Sequence, residues 1–596
     1  MLQQGTMDDS PVTVKGEACD SQHTITNLSI FGETITVGGD KLCESFSVDR
    51  NCRWGLTVIT GSVSDSEGDT GTLAQSFLRS PTYFPPATTP EQTARADKAL
   101  FMQLNQPVFD DDDNSDFDDI ATVVWWLLYQ IDWDALFPAT ISVYPDENSD
   151  GEVDTVTHNC GPFSSVTHHK TGYKMYKSGT FNYTAIEVDI DLVEGGIDLL
   201  VTMEGPNLPV RVEGYLDLGC LGETSAQSDG SVTADRVVTE TSVAISLESS
   251  GILEVTITDM NVTVENLEVD LDTGDLPLPD DLLTQIVNEA VAGMTNAIEQ
   301  AFTDTFNQML PPLLADVLDV FKYTTRVHFP APIDVTLLID TGLDWIDFQS
   351  GYCQIGSYVQ VMPVKPRLGT PAPPFGAALS DGAPPSLSHD LYAAGMGMKD
   401  DLINQFLWAA WYGGAFDLDD VSPWTWGTGL EGADITIFSY LPPVMMPGIN
   451  QNEVEIGLGD VFVEASLDLT SVMAEAADPV AEPFDVSAYV SAIVGGSITV
   501  DEVNDVFELE VVGDPEIYIQ IVSIDDDIHT DLVRSLLVDG LTDTLPDILS
   551  EIIATLPLPE FDIGSIDPEL PPTVWNLKNV MIDRQGHYHV FAGGLE

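Results

Sequence analysis

The spacing of apolar residues changes several times along this chain, and each change predicts a different element. From about residue 10 to 85, apolar and polar positions alternate in short runs such as "TITNLSIFGETITVGG" and "GLTVITGSVSDSEG", with Gly and Asp turns between them. That alternation predicts a small all-β sandwich. Residues 90–137 change character. "TARADKALFMQLNQPVF" reads as a helix, the acidic run "DDDDNSDFDD" follows, and then comes the apolar helix "IATVVWWLLYQIDWDALF". Acidic residues ahead of a helix suit the positive end of its dipole. The tight cluster Trp125, Trp126, Leu128 and Tyr129 predicts burial.

From about 180 the alternation is clean. Ile186, Val188, Ile190 and Leu192 share one face, Gly195-Gly196 makes a turn, and Ile197, Leu199, Val201 and Met203 share a face again. Further alternating runs to about residue 269 complete a meander with one greasy side. A helix is predicted next, over about 280–310, with Leu282, Ile286, Ala290, Met294, Ile298, Phe302, Phe306 and Leu310 every fourth residue. At 1.5 Å per residue it would be a rod of about 44 Å, broken or kinked at Pro311-Pro312. Such a rod can cover the greasy face of a one-sided sheet. The order then recurs. "DDLINQFLWAAWYGG" (400–414) is a helix ended by two glycines. Strands such as "EVEIGLGDVFVEASLDL" and "GSITVDEVNDVFELEVVG" follow. A second helical stripe runs through Leu532, Val533, Leu536, Leu537, Leu541, Leu545, Ile548, Leu549, Ile552 and Ile553 to "LPLPEF", and a closing hairpin ends the chain. Between the halves lies the Pro-rich connection "VMPVKPRLGTPAPPFGAALSDGAPPSLS", extended rather than globular.

Charge removes some function classes. The chain has 596 residues, with 97 acidic against 20 basic, for a formal net charge of −77. Nucleic-acid binding depends on Lys and Arg neutralising phosphates, so it is excluded as a leading reading. Attraction to an anionic membrane surface is disfavoured for the same reason. Six cysteines, Cys19, Cys43, Cys52, Cys160, Cys220 and Cys353, lack zinc-site spacing. Their even number suits an oxidising compartment, with one bridge expected within the first 60 residues and another between Cys160 and Cys220. No run approaches 18 apolar residues, so no helix is expected to span a membrane. The N-terminal residues do not read as a signal peptide. The expected location is extracellular, cell-surface or periplasmic.

The segments "DLYAAGMGMKDDLINQFLWAAWYGGAFDLD", "GSITVDEVNDVFELEVV", "LVRSLLVDGLTDTLPDILSEIIATLPLPEF" and "VWNLKNVMIDRQGHYHVFAG" occur in an order that resembles the tubular lipid-binding superfamily, specifically the bactericidal/permeability-increasing protein and lipopolysaccharide-binding protein family. "LLTQIVNEAVAGMTNAIEQAFTDTFNQMLPPLL" sits where that family has its first long helix. The resemblance implies an α+β fold: two elongated antiparallel barrels, each wrapped on a long helix, and a central bridge. The early β module, with "GLTVITGSVSDSEGDTG" like the last hairpin of bacterial Ig-like modules, lies outside it. The implied division is 1–88 for the module, 89–345 for the first barrel, 346–390 for the bridge and 391–596 for the second barrel. The resemblance also implies phospholipid or another acyl lipid in apolar pockets and transient membrane contact. Candidate lining is Ile286, Met294, Ile298, Phe302 and Phe306 in the first half, and Leu402, Phe406, Leu407, Trp411 and Tyr412 in the second. The acidic composition departs from the cationic tip of the family's bactericidal members. Carriage of neutral or zwitterionic lipid survives that departure.

"DENSDGEVD" has calcium-loop spacing, with Asp146, Asn148, Asp150, Glu152 and Asp154 as oxygen donors and Gly151 for the turn. Thr157 replaces the usual twelfth-position Glu. No cofactor is otherwise required. Enzyme motifs are missing, with no GxSxG, HExxH or GxxxxGK[ST], so no catalysis is expected. His168-His169 has no partner in the sequence, and His587 and His589 read as structural. The second function class is a non-lipid cell-surface or adhesion scaffold.

Overall fold

The structure is a computed structural model. It describes residues 4–6, 11–84, 95–113, 117–249, 251–271, 280–318, 324–329, 334–366, 376–380, 382–385, 387, 392–421, 434–448, 453–467, 484–501, 506–524, 530, 533–535, 537–542, 549, 561–562, 574–575 and 577–595. It is an α+β arrangement of sheets, antiparallel apart from the parallel pair Gln4–Thr6 with Thr70–Ser80, and none of them closes into a barrel among the described residues.

The first module is two sheets, as the alternation predicted. Five strands (Gln4–Thr6, Thr70–Ser80, Gly55–Asp65, Ile25–Ile30 and Glu33–Ile35) face the pair Val12–Cys19 and Cys43–Arg50. Their shared core is Leu28, Ile30 and Val48. Cys19 and Cys43 are register partners and form a disulfide.

In the first half, the strands Ala185–Val193, Gly196–Glu204, Arg236–Leu247 and Leu253–Glu265 make one sheet. A second contains Thr140–Tyr144, Gly172–Lys177, Asn207–Asp217, Glu223–Thr233 and Glu268–Leu271. Alternate residues of Ala185–Val193 are buried, which is the one-sided burial the period-two pattern encodes. The long helix spans Asp280–Leu318 and continues through Pro311 and Pro312 instead of ending there. Each proline removes one N–H donor, yet Leu314 beyond them is completely buried. Burial of Leu314 offsets part of that loss. Its 39 residues make a rod of about 58 Å.

A seven-stranded central sheet joins the halves, in the order Thr324–Phe329, Val335–Gln349, Tyr352–Pro363, Ala96–Asn105, Ala394–Lys399, Tyr588–Leu595 and Leu577–Gln585. Ala96–Asn105 is thus a strand, not the helix its composition suggested. It pairs on both edges, with Tyr352–Pro363 and Ala394–Lys399. Its last seven residues are all buried, so burial on both faces erases the alternation that marks a strand. Tyr352–Pro363, inside the span assigned to the bridge, is also in this sheet. The helix Ile120–Gln130 is capped by Asp119, which accepts from Thr122 N–H at 2.6 Å. Leu128 is buried and the two tryptophans are partly covered, but Tyr129 is 58% exposed. The predicted aromatic cluster therefore covers only one side.

The second half is a sheet built on Val454–Leu467 and Phe484–Asp501. Of the second helical stripe, Val533, Leu537 and Leu541 pack on Val463, Val486 and Val490, and Leu549 is buried. Leu532, Leu536, Leu545, Ile548, Ile552 and Ile553 lie outside the described residues.

The N-terminal module is docked on this second half. Leu56 and Leu78 pack with Leu441, Val444 and Met446. The approach needs glycine on the facing strand, since a Cβ at Gly457 would lie 2.7 Å from Leu56 Cβ. Asp460 sits in the same contact, 4% exposed, and accepts from Ser76 N–H at 2.7 Å. Burial raises its pKa to about 6, with the Ser76 hydrogen bonds opposing. A carboxyl raised in the folded state stabilises below its unfolded value of 3.8, and that stability is lost as pH rises through about 6. Asp460→Asn is therefore expected to gain on the wild type by on the order of 2–3 kcal/mol between pH about 4 and about 7. Parallel denaturant titrations across that window check it. A difference that does not change with pH would refute the assignment.

Candidate functional site

The first interior is walled by the inward residues of both first-half sheets. Ile286, Ile298, Phe302 and Phe306 of the long helix are all buried in it. The side chain of Met294 lies outside the described residues. Phe302 lies 4.7 Å from Trp133 and 6.0 Å from Phe306, centroid to centroid. Thr239 and Thr241, on the buried face of Arg236–Leu247, place hydroxyls there with no hydrogen-bond partner.

An open groove of about 570 Å³ meets this interior from outside. Ile245, Leu247, Leu343 and Ile346 belong to both the groove wall and the interior cluster. The outer lining includes Arg95, Asp97, Trp345 and Tyr358. Arg95 stacks over the Tyr358 ring at 3.9 Å, and Lys98 Nζ lies 4.4 Å over Trp345. The groove runs between Arg236–Leu247 and the central-sheet strand Val335–Gln349, the seam between two sheets. It was not legible in the sequence, because its apolar and cationic parts are about 150 residues apart. A second cleft, of about 670 Å³, is lined by seven carboxylates, among them Asp110, Asp112 and Asp189. It is unsuited to an acyl chain.

In the second half, every residue of Asp400–Gly413 from Asp400 to Tyr412 is buried. Leu402, Phe406, Leu407, Trp411 and Tyr412 lie in one cluster with central-sheet residues such as Leu337, Met396 and Phe591. Trp411 donates Nε1–H to Ser439 O at 2.9 Å. Gly414, at φ 95°, caps the helix. Its N-terminus enters a buried ionic cluster. Asp400 lies 2.5 Å from Arg584 Nη2, 3.1 Å from His587 Nδ1 and 3.3 Å from His589 Nε2. Burial pushes Asp400 up, but His587, His589 and Arg584 together hold it below the ordinary carboxylate range. Burial lowers His589 despite Asp400. Asp401 is raised by burial, with Lys399 at 2.7 Å and Ser380 opposing. The two histidines thus converge on an Arg-paired carboxylate, a packing role.

In the loop 146–154, Asp146 and Asn148 accept from the N–H of Asp150, and Asp146 also from that of Gly151. Asp150 accepts from Glu152 N–H. Glu152 pairs with Lys174 at 2.5 Å, and Asp154 with Lys170 at 3.2 Å. Groups of three or more ligating side chains among the described residues do not include this loop. The histidines that lacked a partner in the sequence have one in the structure. His168 meets Asp217 at 2.7 Å, and His169 meets Glu223 at 3.0 Å. Cys160 and Cys220 form the second disulfide, as expected, while Cys52 and Cys353 are free. No described helix is long and apolar enough to cross a membrane.

No protein-family model matches the chain, and no curated protein matches it. Among solved structures, it is similar to a lipopolysaccharide binding protein at 12% identity and a TM-score of 0.41, covering 84% of this chain and 99% of that one. It is also similar to P47 of Clostridium botulinum E1, at 9% identity, a TM-score of 0.26 and coverage of 84% and 100%. A P47 from Clostridium botulinum A2 stands at 8% identity and a TM-score of 0.25, with coverage of 84% and 98%.

Proposed function

We propose that the chain binds lipid, holding acyl chains of phospholipid-like ligands in the first interior and admitting them through the seam groove. The groove carries the reading: its apolar wall is continuous with the interior behind the long helix. Arg95 stands at its outer lining, placed to meet a headgroup phosphate in an otherwise acidic chain. An acyl tail gains about 0.8 kcal/mol per CH₂ moved out of water, so tails need no sharp polar motif. Thr239 and Thr241 offer hydroxyls for an ester end. In this reading each half is a tube opened along a seam, the Ig-like module is an accessory, and membrane contact is transient. The reading includes no catalytic step. The two disulfides favour an oxidising compartment outside the cytoplasm. Calcium at Asp146–Asp154 is a secondary proposal, and it requires Lys170 and Lys174 to release Asp154 and Glu152.

One observation favours the alternative, a cell-surface scaffold. The helix Asp400–Gly413 is packed on every face, which makes the second half a filled core. Native mass spectrometry of the purified chain, with lipid extraction, separates the two. One or two phospholipids per chain are expected. A lipid-free chain that also refuses fluorescent phospholipid would put the scaffold first.

A further inference from the structure

His158 and His168 stand on the two strands of the hairpin Thr155–Gly161 and Ser164–His169. Val166 is the register partner of His158, and Val156 that of His168. The imidazoles are therefore diagonal neighbours on one face. Their rings lie 25° from parallel, with centroids 5.2 Å apart. Both direct Nε2 at one carboxylate, Asp217, the last residue of Asn207–Asp217, with 2.8 Å from His158 to Oδ2 and 2.7 Å from His168 to Oδ1. The ligating atoms of the three residues lie within 4.8 Å of one another.

The geometry is held from outside the cluster. Gly219 N–H donates to Asp217 Oδ1 at 2.6 Å, and Asp217 N–H donates to Thr171 Oγ1 at 3.0 Å. The Cys160–Cys220 disulfide ties the hairpin just beyond His158 to the turn just beyond Asp217. His168 is 8% exposed and its Nδ1 is buried without a partner. The carboxylate is thus what the ring's polar side meets. His158 and Asp217 remain partly exposed, which leaves an ion a route from solvent.

We propose that His158, His168 and Asp217 form a site for a borderline divalent transition metal such as Zn²⁺, with a further coordination position open to water or an exogenous donor. Two imidazole nitrogens and a carboxylate oxygen suit zinc and its neighbours, whereas Mg²⁺ and Ca²⁺ take oxygen shells. Zinc lies about 2.0–2.2 Å from such donors, so the three atoms part slightly to admit it, and each ring binds as the neutral tautomer with its proton on Nδ1 and its Nε2 lone pair on the metal. The site is independent of the lipid reading.

The test is equilibrium dialysis of the chelator-treated full chain against Zn²⁺, in excess Mg²⁺ to occupy the acidic surface. One zinc per chain is expected, lost in His158→Gln and in Asp217→Asn and retained in Asp150→Asn. Copper(II) electron paramagnetic resonance gives an independent readout: two nitrogen couplings in the wild type, one in His158→Gln. Zinc uptake no greater than in the variants, or a copper spectrum without nitrogen couplings, would overturn the proposal.

Discussion

Asp400→Ala is expected to cost about 3–5 kcal/mol, because it takes the carboxylate away from the buried Arg584 guanidinium. Arg584 is 7% exposed, and Asp400 is not exposed at all. The same carboxylate receives His587, so the loss reaches the closing hairpin as well as the helix. Hydrogen exchange reports local opening segment by segment. The measurement is therefore hydrogen exchange over Asp400–Gly413, where protection should fall by the corresponding factor. The double variant Asp400→Leu with Arg584→Met should recover most of it, since replacing a buried pair by apolar side chains is often near neutral. Acid probes the same cluster. Asp400 is held low when folded, so its stabilisation is present above 3.8 and lost as pH falls through its folded value. His589 is also lowered, so it too costs stability on acidification, beginning below its ordinary 6.5. Unchanged exchange in Asp400→Ala would mean the cluster contributes nothing to holding the helix.

Phe302→Ala should destabilise the first half by about 3–5 kcal/mol, the usual cost of emptying a buried aromatic position. Phe302 is 2% exposed and packed between Trp133 and Phe306. Denaturant titration followed by tryptophan fluorescence reads the loss. This variant also separates protein core from ligand wall. A cost below about 1 kcal/mol, together with altered lipid occupancy, would place Phe302 against lipid instead of against protein. The full cost with unchanged lipid would make it a sealing residue, leaving ligand contact to the groove residues.

One-sided burial was readable along the chain because it imprints a local period. The meander beginning at Ile186, the four-residue stripe Ile298, Phe302, Phe306 and the glycine stop after Tyr412 were legible in this way, while of the disulfides the sequence offered Cys160–Cys220 and only the region of the other, which the structure makes Cys19–Cys43. Ala96–Asn105 was not legible, because a strand covered on both faces keeps no period. The sequence left open whether Pro311-Pro312 break or kink the long helix, and the helix continues through them to Leu318. The candidate lining of the second half was legible as buried, but only its neighbours in the central sheet show that the helix is surrounded on all sides.

The sequence by itself determined the class of most segments, Ala96–Asn105 excepted, the strongly acidic charge, and the apolar stripes that need covering. The tertiary structure decided what those stripes meet. It docked the first module on the second half through Gly457, opened the seam groove beside Arg95, brought Arg584, His587 and His589 onto Asp400, and set Asp217 against two histidines 49 and 59 residues away. The physical reason is one of range. Periodicity is imposed by a residue's near neighbours on its own element. Convergence of polar groups depends on strand register and on which sheets share an edge, and a run of residues carries no local record of either.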